Sequence, residues 1–87
     1  MTNAPIMTFH HEVTRNALVL KLTGDLIGEN EGAAIIGVVS DALQEKVTVC
    51  LVDISGLRYI NSSGIGVLIT ILTKFRNKNG EVYLMKP

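Results

Sequence analysis

From Val47 to Ile54 the chain is almost continuously apolar: Val47-Thr48-Val49-Cys50-Leu51-Val52-Asp53-Ile54. A short run this rich in β-branched residues suits a strand buried on both faces, and such a strand belongs in the middle of a sheet. A central strand with parallel neighbours needs crossover connections, usually helices. All of this must fit into 87 residues. That length holds one domain, residues 1–87, burying roughly 60–65% of the surface its unfolded chain would expose.

The other elements follow from periodicity. Met1 to Pro5 form a loose lead-in, and Ile6 also favours a strand. Met7, Phe9, His11 and Val13 alternate with Thr8, His10 and Glu12, the pattern of a strand with one wetter face. Thr14-Arg15-Asn16 is a short polar break before Ala17–Leu22, where Leu18, Leu20 and Leu22 share a face. The short break predicts an antiparallel hairpin. Thr23 to Gly28 then turns the chain away. Glu29-Asn30-Glu31 puts negative charge before Ile35, Val38, Val39, Ala42 and Leu43, which recur at helical spacing. Gly37 weakens the middle of that helix by up to about 1 kcal/mol and leaves room for close packing on the sheet. Gln44-Glu45-Lys46 forms its wet end.

After the central strand, Ile54 to Asn61 is expected as a loop. A second helix runs from about Ser63 to Asn77, with Ile65, Leu68, Ile69, Leu72 and Phe75-Arg76 as its inner stripe, widened by Val67 and Ile71. Lys74, Arg76 and Lys78 gather near its C-terminal end, and Asn79-Gly80 is the stop signal. Glu81-Val82-Tyr83-Leu84-Met85 is the last strand. The expected fold is α/β, in the order ββαβαβ: a four-stranded mixed sheet with helices packed on it. An apolar strand so late in the sequence predicts exposed apolar surface beside it.

Asn61-Ser62-Ser63-Gly64 carries the chemistry. A serine at a helix start ordinarily accepts a bond from a free backbone N–H two or three residues on, and one of Ser62 and Ser63 is expected to do so. Capping does not explain why there are two, nor why Gly64 and Gly66 follow. Glycine in a first turn costs helix stability but leaves the backbone open to close approach by another molecule. A serine there is also a candidate phosphoacceptor, since free N–H groups and the helix dipole favour a phosphate. Arg58 and Tyr59 precede the serines; Tyr59 either docks a partner or packs on a helix.

Other function classes find little support. Eight basic and eight acidic side chains cancel, which argues against nucleic-acid binding. A serine nucleophile needs a base. The two histidines, His10 and His11, lie in the first strand, His11 on its apolar face. Asp25 and Asp53 fall near strand ends, but an aspartate without a histidine makes no hydrolase triad; Asp53 is expected to tie down the Ser55-Gly56 turn. No phosphate-cradling loop, cofactor motif or metal-ligand spacing is present. The lone Cys50 is a buried small hydrophobe. No apolar stretch approaches the roughly 20 residues that span a bilayer, and a cytoplasmic location is expected.

Val52-Asp53-Ile54-Ser55-Gly56-Leu57-x-Tyr59-Ile60-Asn61-Ser62-Ser63-Gly64-Ile65-Gly66-Val67-Leu68 resembles the signature of STAS domains, and more narrowly of bacterial anti-sigma factor antagonists. Leu20-x-Leu22-Thr23-Gly24-Asp25-Leu26 and Asn79-Gly80-Glu81-Val82-x-Leu84 support it. The resemblance implies a switch rather than an enzyme. In that family the unphosphorylated antagonist binds an anti-sigma factor that is also a GHKL-type serine kinase, releasing a sigma factor. The kinase phosphorylates one serine and a PP2C-type phosphatase restores it. Carried over, the phosphoacceptor is Ser62, with Asp25, Asp53, Tyr59, Asn61, Ser63, Gly64 and Gly66 as phosphosite support and docking positions, Ser63 being the capping or supporting residue. No cofactor is implied. The alternative is a non-switching STAS module in a larger regulatory or transport complex. Asn61 stands where the family usually has Asp, and Ile27 where it has a second acidic group. Relatives run on for two helices and a short strand past the position of Lys86-Pro87. The expectation is a single STAS-like domain lacking the usual C-terminal helices, as a shortened variant, a fragment, or a unit completed by a partner, the last including a homodimer through the under-covered sheet.

Overall fold

The computed structural model describes residues 7–27 and 30–86, without the side chains of Asn30 and Glu31. The expected lead-in through Ile6, Gly28 and Glu29 of the connection, and Pro87 lie outside the described residues, as do the side chains of the expected acidic helix start. The elements are β1 (Met7–Val13), β2 (Ala17–Leu26), α1 (Asn30–Gln44), β3 (Val49–Ile60), α2 (Ser62–Arg76) and β4 (Glu81–Met85). The strands form one sheet in the order β1-β2-β3-β4. β1 and β2 are antiparallel; β2, β3 and β4 are parallel. This is the mixed ββαβαβ sheet expected from the sequence.

Successive crossovers step the same way across the sheet, so equal handedness puts both helices on one face. They pack on each other as well as on the strands. Their face of the sheet is the core: Leu18, Leu20 and Leu22 of β2 and Cys50 and Val52 of β3 are fully buried, against Ile35, Val39 and Ala42 of α1 and Ile71 and Phe75 of α2. Fully burying each large side chain contributes about 1.5–3 kcal/mol. Burial also pushes the Cys50 thiol up to about 12, which leaves it protonated and unreactive near neutral pH.

Among the described residues the other sheet face carries no helix, so β3 is central but not buried on both sides. Val49 and Leu51 are only half-buried there, because two crossovers of one hand leave the second face to solvent. Burial likewise fades along the edge strand β1. Met7 is buried and Phe9 partly so, but His11 and Val13 are exposed, and His11 is not the packed residue its place on the apolar face suggested.

Two expected turns are strand. β2 continues past Leu22 to Leu26, and β3 continues past Ile54 to Ile60. Their pairing slips between Lys21 and Thr23 and again between Gly24 and Asp25. Gly24 takes φ 101°, a conformation glycine adopts without steric cost. Turn-type residues on adjacent strands thus make irregularities in a continuing ladder.

α2 is also rotated from expectation. Its buried residues are Gly64, Ile71 and Phe75, with Val67 and Leu68 partly buried against the core. Ile65, Ile69 and Leu72 remain 49%, 56% and 39% exposed. Two glycine roles change too. Nothing lies within 4 Å of a Cβ built on Gly37, whereas one on Gly32 would come within 2.9 Å of Val67 Cγ2. The close helix contact is at Gly32, and Gly37 faces outward.

Gly37→Ala should therefore raise stability by about 0.5–1 kcal/mol, since it removes unfolded-chain entropy and meets no obstacle. Gly64→Ala, whose Cβ would overlap the Leu26 carbonyl oxygen, should lower it by about 1–3 kcal/mol. Urea unfolding of the two variants checks both signs.

Candidate functional site

α2 begins where the β2–β3 pair ends. Leu26 pairs with Ile60, and the Leu26 carbonyl accepts the Asn61 N–H at 3.2 Å. Asn61 has extended backbone, φ −96° and ψ −176°. Its Oδ1 accepts the Gly64 N–H at 2.7 Å, and its carbonyl accepts the Ile65 N–H at 2.9 Å. Asn61 is therefore the N-cap, and neither serine performs that role. The reason is positional: the extended residue directly before the first turn is Asn61, and asparagine caps as well as aspartate or serine does. Asparagine at this position keeps the cap and removes a charge.

The serines become the first two helical residues. Both are exposed, and neither hydroxyl has a hydrogen-bond partner among the described residues. Their backbone N–H groups have no acceptor within the helix, since first-turn donors never do. The first turn holds no acidic residue. An anion on Ser62 would meet free N–H groups and the positive end of the helix dipole.

Gly64 is buried because the Leu26 carbonyl leaves no room for a side chain. It seats the helix rather than opening it to a partner. Gly66 has nothing within 4 Å of a built Cβ, which agrees with open clearance. It lines an open cleft between the helices with Gly32, Ala33, Ile36, Ser63, Val67 and Thr70.

Asp25 pairs in register with Tyr59 beside this helix start. Its Oδ1 lies 3.3 Å from an Arg58 guanidinium nitrogen, with the arginine side chain 74% exposed. A pair this wet contributes about 0–1 kcal/mol. Sequence reasoning placed Arg58 and Tyr59 on a loop and missed this pair, which the strand continuation creates. Tyr59 is 57% exposed, so it does not pack on a helix.

Asp53 is not brought to the serines. It precedes Asn61 by roughly 25 Å of strand. Its Oδ1 accepts the Ser55 hydroxyl at 2.7 Å and the Ser55 N–H at 2.9 Å. The tie to Ser55 is as expected, although it braces a strand irregularity and not a turn. These bonds, the hydroxyl's foremost, hold the Asp53 carboxyl below its ordinary value, with Lys21 adding a little. His10 and His11 sit on β1, two strands away from β3, so no histidine adjoins the serines.

A family model for the STAS domain matches residues 8–87. The chain belongs to the STAS domain family. This STAS chain matches the structure of the anti-sigma factor antagonist SpoIIAA in its unphosphorylated form, with a TM-score of 0.79 and 28% identity, covering 92% of this chain and 74% of that one. It matches the phosphorylated form of the Bacillus cell fate determinant SpoIIAA with a TM-score of 0.78 and 28% identity, over 92% and 73% of the two chains. Two further likenesses show the fold alone. One is an anti-sigma factor antagonist from Mycobacterium paratuberculosis, TM-score 0.71, 19% identity, over 99% and 74%. The other is the murine anion transporter Slc26a9, TM-score 0.65, 13% identity, over 84% and 12%. The sequence matches no curated protein. Among the described residues no helix is long and apolar enough to cross a membrane, and no group of three or more potential ligands could hold a metal.

Asn61→Ala should cost about 1 kcal/mol through the lost cap, and Asn61→Asp should keep it; chemical denaturation measures both. Ser55→Ala should raise the Asp53 titration midpoint toward its ordinary 3.8, followed by NMR. A depressed folded pKa stabilises fully above the unfolded value and is lost as pH falls through the folded one. Any stability difference traceable to this tie should therefore vanish in strong acid.

Proposed function

We propose that this chain is an anti-sigma factor antagonist, one STAS-like domain over residues 1–87, switched by phosphorylation of Ser62. The observation that supports this most directly is Ser62 itself. It is exposed, has no hydrogen-bond partner among the described residues, and stands at the first helical position behind an Asn61 cap. The family membership and the likeness to SpoIIAA in both unphosphorylated and phosphorylated forms add to it.

The proposed partner is an anti-sigma factor with GHKL-type serine kinase activity, opposed by a PP2C-type phosphatase, in the cytoplasm. This chain is a substrate and binding module, not an enzyme. Kinase, nucleotide and magnesium supply the catalysis. The Ser62 Oγ–P bond forms as the bond between the γ-phosphorus and the ADP oxygen breaks, and the hydroxyl proton passes to a base of the kinase. The product adds about −1.5 to −2 charge, held by the free N–H groups of the first turn. An interface fitted to a neutral hydroxyl then loses affinity, since the new charge must be desolvated or repelled. Asp25, Tyr59, Ser63 and Gly66 form the surrounding contact surface, while Asn61 and Gly64 hold the serine in place. Asp53, braced on Ser55, supports β3 at a distance.

A second reading is a non-switching module in a larger regulatory or transport assembly, favoured only by the fold likeness to an anion transporter. The kinase assay separates them. With the cognate kinase and ATP, wild type and Ser63→Ala should be phosphorylated, and Ser62→Ala should not. Ser62→Asp should bind the kinase at least tenfold more weakly. Undiminished labelling of Ser62→Ala would sink the assignment, and a stable assembly indifferent to Ser62→Asp would favour the second reading.

A further inference from the structure

The two helices end side by side at the pole opposite Ser62, and the hollow between their ends is basic. One part of it, about 330 Å³, is lined by Ser40, Gln44, Lys74, Asn77 and Lys78. A second part, about 390 Å³, shares Gln44 and Lys78 and adds Lys46. Together they make one trough with three lysines. No carboxylate lines either part, and none of the three lysines is ion-paired among the described residues. The nearby carboxylates of α1, Asp41 and Glu45, line the other flank of that helix with His11. The charges of a chain with no net charge are thus sorted across α1. Both walls of the trough are described elements, so its shape does not depend on what lies beside β4.

Lys46 is placed there at a cost. It ends α1 with φ 65°, a left-handed position that helix ends ordinarily give to glycine or asparagine. The end of α2 follows that habit with Asn79 at φ 62°. A lysine in this conformation is less stable than glycine, and its side chain is exposed. Backbone strain of this kind is found where function outweighs stability.

The trough also holds acceptors. The last turns of both helices leave carbonyls free, and those of Gln44 and Lys74 accept no backbone N–H among the described residues. A phosphate group offers acceptors only, and would meet these carbonyls at the negative ends of two helix dipoles. An extended acidic peptide offers carboxylates to the lysines and unused N–H groups to the carbonyls.

We propose that this trough docks an extended acidic segment of a partner protein, with its carboxylates on Lys46, Lys74 and Lys78. Lys74 stands roughly 18 Å along α2 from Ser62, about two Debye lengths at physiological salt. Docking here is therefore independent of the phosphorylation state of Ser62, and the trough can hold a partner that the proposed switch does not release.

An NMR titration of the isotopically labelled 87-residue chain with a peptide of alternating glutamate and threonine tests this. Amide signals of residues 40–48 and 74–78 should shift, and that of Ser62 should not. Lys78→Glu should weaken binding about tenfold and Lys46→Gly about threefold, the scale of exposed charge pairs. Lys46→Gly should also raise the urea midpoint, a combination that a purely structural lysine would not give. That variant decides alone if Lys78→Glu fails to fold. Lys86→Glu, the same charge change at an exposed position outside the trough, and Ser62→Asp should leave the affinity within about twofold. Absence of binding at about 2 mM peptide overturns the proposal. So does an affinity unchanged in the folded trough variants, or one weakened equally by Lys86→Glu or Ser62→Asp. Tighter binding of a single-stranded oligonucleotide or of phosphatidylglycerol vesicles also overturns it, and assigns the lysines to nucleic acid or membrane. No kinase enters the readout, so failure here and failure of the Ser62 assignment are distinguishable.

Discussion

The first turn of α2 rests on the carbonyl of Leu26, and the placement of both serines depends on that contact. The carbonyl accepts the Asn61 N–H, and Gly64 lies against it where no side chain fits. Asn61 then closes the turn by accepting from Gly64. Strand end, cap and glycine form one unit, so the helix can start only at Ser62. Ser62 and Ser63 reach solvent because every inward position of that turn is already taken by backbone.

The same unit explains why β2 and β3 extend so far. Pairing must continue to Leu26 and Ile60 for the helix to have a carbonyl to sit on. The ladder passes Gly24 and Gly56 by slipping register, and the Asp53–Ser55 bonds brace β3 where it does so. Among the described residues both helices lie on one sheet face, and Ile65, Ile69 and Leu72 of α2 stay exposed beside β4, which pairs only with β3. The exposed serines and an exposed apolar flank thus lie on one helix, Ser62 and Ser63 at its start and Ile65, Ile69 and Leu72 along it.

Much of the architecture was legible where periodicity and burial coincide. Leu18, Leu20 and Leu22 alternate because one face of β2 meets the helices. Ile35, Val39 and Ala42 recur because α1 lies on them. Legibility failed where one residue type serves two structures. Thr23-Gly24-Asp25 and Ser55-Gly56 have turn chemistry, yet each has a strand alongside to continue with. Asn61, Ser62 and Ser63 all have N-cap propensity, and only the backbone conformation at Asn61 chooses among them. Asp25 and Asp53 look equivalent along the chain, but one reaches the helix start and the other is held by Ser55. The apolar stripe of α2 is wide enough to permit several rotations.

The sequence by itself determined the element order, the mixed sheet, the family, and the presence of two adjacent hydroxyls at a helix start. These depend on local pattern and on chain order. Tertiary structure alone decided which residue caps α2, where the strands stop, which glycine is crowded, and which apolar side chains stay in water. Each of those outcomes depends on a neighbour distant in sequence: the Leu26 carbonyl for Gly64, Val67 for Gly32, Arg58 for Asp25. The serine pair therefore appears in the sequence as two candidate caps, and in the fold as two exposed hydroxyls behind Asn61.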